Sequence, residues 1–392
     1  MVDVKHFQKD HASQNIPLTF NEAYNLVAYA LEGCKEGKSL AQIQTIALLT
    51  SLHNMATYNF VRNGIHTRRY GDEIPKNAAE QIAGVCAAIF ELDIAKSEFG
   101  FLNPNVPYAM DNSGMGGDII VTANVSTLAS IIAASAGIYM LKHGSPANAD
   151  RGHHGSSDFI SMLGINEYAD KKAVEECLET EYFAFTEALD KRYKHIHLQT
   201  HKVSKMPHMN DIIGPITNPL NPKLLTRRVV GVNHLIPPRL IAEAYQILNE
   251  RGVTNLQHGL FVRGFVDTDG YDGMDEVSIC RGGTQVSELR NGIITDKVWH
   301  APDFGIEEAT AEEISPPANM SKGDFSLAIL KGEISGAPLR MVLANTALLF
   351  YLAGKSNNLQ DCYKQAAYTF ATGRPYQTAL AVKERLPQAV KV

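Results

Sequence analysis

The chain has 392 residues, room for two or three folded domains at roughly 150 residues each. Its composition, 45% hydrophobic, 20% charged and 8% aromatic, excludes disordered, collagenous and coiled-coil proteins. With 36 Lys and Arg against 42 Asp and Glu the formal charge is -6, so no global basic field draws in nucleic acid or an anionic membrane.

The five cysteines, Cys34, Cys86, Cys177, Cys280 and Cys362, form no C-x-x-C pair and read as packing residues in a reducing compartment. The first 14 residues lack the apolar stretch of a signal peptide, and no run approaches the ~20 apolar residues of a spanning helix. A cytoplasmic protein without membrane contact is expected.

The first hundred residues read as helices. Thr19 and Glu22 form a capping box ahead of residues 23–31, Ser39 and Gln42 a second ahead of 43–53, and 76–92 is a third, Ala-rich segment. Residues 58–73, with three arginines and two glycines, read as an insertion or long loop. Prolines and asparagines in 99–113 mark a hinge, which divides a helical domain, 1–103, from an α/β domain, 104–392. A later helical segment can join the first domain.

Beyond the hinge, short β-like runs at 118–121, 138–141, 182–185, 228–232 and 260–262 alternate with helical segments at 127–136, 156–163 and 238–251. Strand–helix alternation predicts an α/β fold with a mainly parallel sheet flanked by helices. Residues 282–300, with Asn291-Gly292 between alternating runs, read as a hairpin, and helices at 340–353 and 358–372 close the chain.

The chemistry concentrates between residues 112 and 164. Gly114, Gly116 and Gly117, with Met115 among them and Asp118 after, supply backbone that can turn tightly or cradle a phosphate. Asn124, Ser126 and Thr127 stand before an apolar helix, where anions bind and where plain N-caps also sit. Lys142, His143 and Gly144 fall at the carboxyl end of a strand, where ligand sites of α/β sheets gather. Asp275 and Glu276 follow a Gly- and Asp-rich turn. Adjacent residues on a regular strand face opposite sides, so the two carboxylates share one site only if the backbone bends there; together they suit Mg²⁺, and plain solvated loop is the alternative reading of so Asp- and Gly-rich a turn. Between Lys191 and His208 lie four histidines and five Lys or Arg, an anion-binding face rather than a zinc site, since no Cys or carboxylate stands at ligand spacing around His195, His197 and His201.

These residues resemble the anthranilate phosphoribosyltransferases, which share a fold with the pyrimidine nucleoside phosphorylases. The family's Gly-Thr-Gly-Gly-Asp is similar to 114–118, its Asn-x-Ser-Thr to 124–127, its Lys-His-Gly to 142–144 and its Gly-Ser-Ala-Asp to 155–158. Its Leu-Gly-Pro-Leu-x-Asn-Pro turn resembles 213–219, its Asp-Gly-x-Asp-Glu 272–276, and its closing Leu-Asn-Ala-Ala helix 343–347, with Asn345 kept. The matches run in order across most of the chain.

The resemblance implies a homodimer formed through the helical part, a cleft between the domains and a role in tryptophan biosynthesis. In that cleft an aromatic amine attacks the ribose of phosphoribosyl pyrophosphate, releasing pyrophosphate in the presence of Mg²⁺. By the same resemblance Gly114, Gly116, Gly117, Asp118, Asn124, Ser126, Thr127, Lys142 and Gly144 bind phosphoribosyl pyrophosphate. Lys142 and Asp118 are its catalytic residues, and Ser126, Asp275 and Glu276 hold the metal. His143, Asn148, His154 and His201 are the acceptor-binding candidates. The chain departs from the family in a longer, His-rich loop at 145–155 and in the family's carboxylate-binding arginine, whose place falls near Thr200 or His201. A nucleoside phosphorylase of the same fold, and a non-catalytic relative binding nucleic acid through 191–208, are the alternative readings.

Overall fold

Helix α1, Phe20–Lys35, begins where the first capping box places it: the Thr19 amide and hydroxyl donate to the Glu22 carboxylate at 2.9 and 2.7 Å. A computed structural model describes residues 17–35, 52, 74, 76–146, 155–201, 209–232, 236–268 and 273–388. The helix expected after the Ser39 box and the 58–73 segment lie outside the described residues, Leu52 apart. Helix α2, Ala78–Ala88, is nearly all buried and continues as a π-helical turn, Ile89–Ile94.

One sheet organises the rest, in the order β3-β2-β1-β4-β5-β7-β8, with the two-residue β6 (Gly273–Met274) beside β5. Strands β1 (Ala109–Gly114), β2 (Met140–Gly144), β3 (Phe183–Glu187), β4 (Leu225–Gly231) and β5 (His258–Phe265) are parallel. The antiparallel hairpin of β7 (Thr284–Arg290) and β8 (Ile293–Trp299) extends this sheet. Its turn is the expected Asn291-Gly292, with φ of 50° and 81°, the left-handed pair that a two-residue hairpin requires.

Helices α3 (Val125–Ser135), α4 (Ser156–Met162), α5 (Lys171–Glu181), α6 (Ile196–His201), α7 (Met209–Ile216) and α8 (Pro238–Glu250) follow the strands. Four more helices, α9 (Ala311–Ile314), α10 (Lys322–Leu330), α11 (Ala337–Leu352) and α12 (Leu359–Ala371), precede α13 (Arg374–Arg385). Successive residues of the central strands feed two cores. Val229, Leu260 and Val262 pack with α3, α11 and α13, whereas Val230, Val232 and Phe261 pack with α1, α2 and α8. Cys86, Cys177, Cys280 and Cys362 are buried and unpaired, as packing residues should be.

One expected strand is corrected. Residues 118–121 are irregular, and β1 lies earlier, at Ala109–Gly114, inside the stretch read as a hinge. Its Asp111, Asn112 and Ser113 are buried but polar, so no apolar run announces the strand; their partners lie elsewhere in the chain.

Candidate active site

Strand order reverses between β1 and β4, and in open α/β sheets ligands bind outside the carboxyl ends of strands at such a point. Both strands end in glycine there. A Cβ on Gly114 would stand 2.0 Å from Asp275 Oδ2, and one on Gly231 would stand 1.5 Å from the Asp275 carbonyl oxygen. Only bare backbone lets Asp275 lie across the two strand ends.

Gly116 and Gly117, with φ of 70° and 83°, then turn the chain, and the Gly116 amide donates to Asp275 Oδ2 at 2.6 Å. The Asp275 amide in turn donates to Asp118 Oδ1 at 2.8 Å, so the two loops brace each other. Just after β6 the backbone bends, as the adjacent pair requires, and Asp118, Asp275 and Glu276 converge with one oxygen each inside 4.8 Å. Three carboxylates at that spacing fit a hard divalent cation such as Mg²⁺. The family resemblance gives Asp118 to catalysis and phosphoribosyl binding; the fold sets it beside the metal candidates, a place that no local sequence signal marks. Asn345 holds the same loop from α11, accepting from the Val277 amide at 2.9 Å and donating to the Val277 carbonyl at 3.1 Å.

Lys142 is 1% exposed. Its ammonium donates to the Asn112 carbonyl at 2.7 Å and to Ser126 Oγ at 3.1 Å, two of its three protons. Burial pushes its pKa down to about 8, against the opposing pull of Asp111, Asp275 and Glu276. Ser126 opens α3, and Asn124 is tied to α10 by its amide and side chain, both reaching Ser326 Oγ at 2.8 and 3.1 Å. Thr127 Oγ1 is buried with no hydrogen-bond partner among the described residues.

His143 faces the other side of the sheet. Its Nδ1 meets Thr186 Oγ1 at 3.0 Å and its Nε2 meets Lys194 Nζ at 2.8 Å, while burial and the neighbouring cations hold its pKa well below the usual histidine value. Lys194 also donates to the Thr217 carbonyl and hydroxyl at 3.0 and 3.1 Å. Gly144 ends β2 against Ser156: a Cβ there would stand 1.9 Å from Ser156 Oγ. Asn148 and His154 lie outside the described residues, and His201 is the last residue of α6.

Within the basic stretch after β3, Arg192, Lys194 and His195 are engaged by other parts of the protein, whereas Lys202, Lys205 and His208 lie outside the described residues. Arg192 pairs with Asp190 at 2.7 Å and Asp170 at 3.3 Å, Lys194 is buried, and His195 Nδ1 meets Asp93 at 3.0 Å. Among the described residues the carboxylate trio is the only group of three His, Cys, Asp or Glu side chains placed to hold a metal ion.

The sequence also carries a match to the glycosyl transferase family, a/b domain, over residues 106–376, from just before β1 into α13. An anthranilate phosphoribosyltransferase of Pseudoalteromonas translucida is 28% identical over 95% of this chain and 97% of its own length. That of Mannheimia succiniciproducens is 32% identical over 76% and 80%. The chain belongs to the anthranilate phosphoribosyltransferase family. It is therefore an enzyme of glycosyl transfer. The crystal structure of the family member from Thermus thermophilus matches its fold, with a TM-score of 0.73 at 24% identity over 98% of both chains. The Saccharomyces cerevisiae member, solved with PRPP and Mg, matches with 0.71 at 19% identity over 94% and 93%. Within the family fold, no helix among the described residues is long and apolar enough to cross a membrane.

Proposed function

We propose that this protein is a Mg²⁺-dependent phosphoribosyltransferase that moves the phosphoribosyl group of phosphoribosyl pyrophosphate to an aromatic amine, anthranilate or a related acceptor, and releases pyrophosphate. The observation that carries this reading is the carboxylate trio Asp118, Asp275 and Glu276 at the switch point, on the side of the sheet where Lys142 keeps one proton unspent. Family membership and the Saccharomyces cerevisiae relative's complex with PRPP and Mg support the same ligands.

The trio would hold Mg²⁺, with Ser126 offering a further oxygen, and the ion would neutralise charge on the diphosphate. Breaking the bond to pyrophosphate builds negative charge on the leaving group, and a fixed ammonium is worth most where that charge develops. Lys142 supplies it. Its two bonds to Asn112 and Ser126 aim the third proton without using it. The start of α3, with Ser126 and the unpartnered Thr127 hydroxyl, offers donors to phosphate oxygens. Gly114 and Gly117 allow the approach, and Asn124 and Gly144 border it. Asp118 and Asp275 also brace the turn, so the metal site and the phosphate cradle form together. An aromatic amine is already nucleophilic, and positioning it supplies much of the remaining barrier reduction.

We read the enzyme as a cytoplasmic homodimer whose cleft lies between residues 1–103 and 104–392. Pyrophosphate release is the test: with phosphoribosyl pyrophosphate, an aromatic amine and Mg²⁺ it should proceed, and chelation should stop it. Hydrolysis-free mixtures that release nothing under any amine would overturn the reading.

A further inference from the structure

The outer side of the site carries a buried carboxylate that no role above uses. Glu187 ends β3, in register with Gly144, while Thr186 is in register with His143. Thr186 Oγ1 meets the His143 ring, so those two share one side of the sheet and Glu187 lies on the other, with Lys142 and Gly144. Helix α4 closes over that side. Ser157 Oγ donates to Glu187 Oε2, and the Leu189 amide donates to Oε1 at 2.9 Å. Both donors are neutral. Among the described residues no Lys, Arg or His makes an ion pair with this carboxylate, although it is 1% exposed. Ser157 stands where the family pattern Gly-Ser-Ala-Asp has alanine.

A buried carboxylate met only by neutral donors is costly unless a ligand completes its hydrogen bonding. Each of its oxygens has a lone pair to spare after the bond it accepts. We infer that Glu187, positioned by Ser157, is the acceptor-recognition group, and that it selects aromatic amines bearing a further neutral N–H donor over those bearing a carboxylate. The inference rests on the phosphoribosyl-transfer reading and narrows its acceptor. An anionic substituent beside Glu187 would place like charges together, which disfavours binding strongly.

The charge on Glu187 depends on pH. Burial raises its pKa to about 7, the bonds from Ser157 and Leu189 lower it, and Glu167 and Asp158 raise it. Tyr168, which follows α4, also feels its charge, as does Lys194, which precedes α6 and lies across the sheet on the His143 side. Above pH 7 the carboxylate is ionised, accepting N–H donors and repelling anions. Below it the protonated group tolerates a carboxylate.

The test compares 2-aminobenzamide with anthranilate, which differ by an amide in place of the carboxylate, as acceptors for the full-length enzyme with phosphoribosyl pyrophosphate and Mg²⁺. At pH 8 kcat/KM should favour the amide by about tenfold or more, a modest share of the cost of opposing buried charges. That preference should shrink as pH falls to 6. Glu187→Gln should remove at least the same factor and its pH dependence, with the affinity for phosphoribosyl pyrophosphate within about twofold of the parent. The parent's own preference needs no variant, and Ser157→Ala offers a second: losing its bond to the ionised form should move the pH midpoint upward. A parent that prefers anthranilate, or a preference unchanged in Glu187→Gln, overturns the inference. So does phosphoribosyl pyrophosphate binding without turnover of either amine. Failure to bind phosphoribosyl pyrophosphate at all overturns the transferase reading beneath it, and the inference with it.

Discussion

Lys142 and Lys194 are both fully buried amines near the carboxyl edge of the sheet, yet their surroundings differ in one count. Lys194 spends three protons, on His143 Nε2 and on the carbonyl and hydroxyl of Thr217. Lys142 spends two and stands close enough to Asp111, Asp275 and Glu276 to feel their charge. A saturated ammonium organises the protein around it, whereas an unsaturated one beside hard oxygen ligands is prepared for an anion that arrives with a cation. The same contrast separates the two sides of the sheet: the His143 side is closed at Lys194, whose three protons are all placed, and the Lys142 side keeps one ammonium proton without a partner among the described residues.

The comparison breaks most sharply at Lys142. Lys142→Met should lower turnover by about 10²–10³, the usual cost of losing one preorganised electrostatic group, with little change in unfolding temperature. A drop below tenfold, measured by pyrophosphate release, would mean that its third proton is idle.

Next in size is Arg228, which lies on the His143 side. It is buried against Asp111 at 2.6 Å, Ser113 Oγ at 3.0 Å and the carbonyls of Pro215 and Ile216. Arg228→Met leaves Asp111 charged and unpaired in the interior, and denaturant titration should find a loss of about 3–5 kcal/mol.

Lys194 sharpens the contrast through pH. Burial pushes its folded pKa down to about 7, opposed by Asp93, Cys86 and Glu187, while the unfolded lysine titrates near ~10.4. Between those values the unfolded state binds more protons, so this group makes stability rise with pH, by up to about 1.4 kcal/mol per unit. Below pH 7 both states are protonated and its contribution is flat. In Lys194→Met the rise between pH 7 and 10 should be smaller, leaving only the part due to other groups, Lys142 among them; an unchanged slope in urea melts would remove Lys194 from the account.

The smallest effect is expected at Thr217. Thr217→Val removes one of three acceptors from Lys194 and should cost about 1 kcal/mol, with turnover nearly unchanged. A large loss of activity there would show that the closed side takes part in the chemistry.

Much of the Lys142 side is legible in the sequence because glycines and carboxylates cluster there within short runs. The triglycine turn, the bend at Asp275 and Glu276, and the hairpin at Asn291-Gly292 each announce themselves by local chemistry. What stays hidden depends on partners far along the chain. Strand β1 reads as polar hinge because Asp111 is neutralised by Arg228, 117 residues away, and Asn112 caps Lys142, 30 away. Helix α5 gives little sequence signal because only Val174, Cys177 and Leu178 are buried among charged neighbours. Lys194 and Glu187 look like ordinary surface charges until the register of β2 and β3 brings them beside His143 and Gly144.

The most direct measurement is the thermal stability of the parent and of an Asp275→Asn, Glu276→Gln double variant with phosphoribosyl pyrophosphate, with and without Mg²⁺. At about 100 times its Kd the ligand should add about 2.7 kcal/mol to the parent when Mg²⁺ is present, and much less without it. The double variant should lose the Mg²⁺-dependent part while keeping its unliganded stability. No stabilisation of the parent, or a Mg²⁺-dependent gain equal in both proteins, would contradict the assignment of the carboxylate trio and Lys142 to phosphoribosyl pyrophosphate.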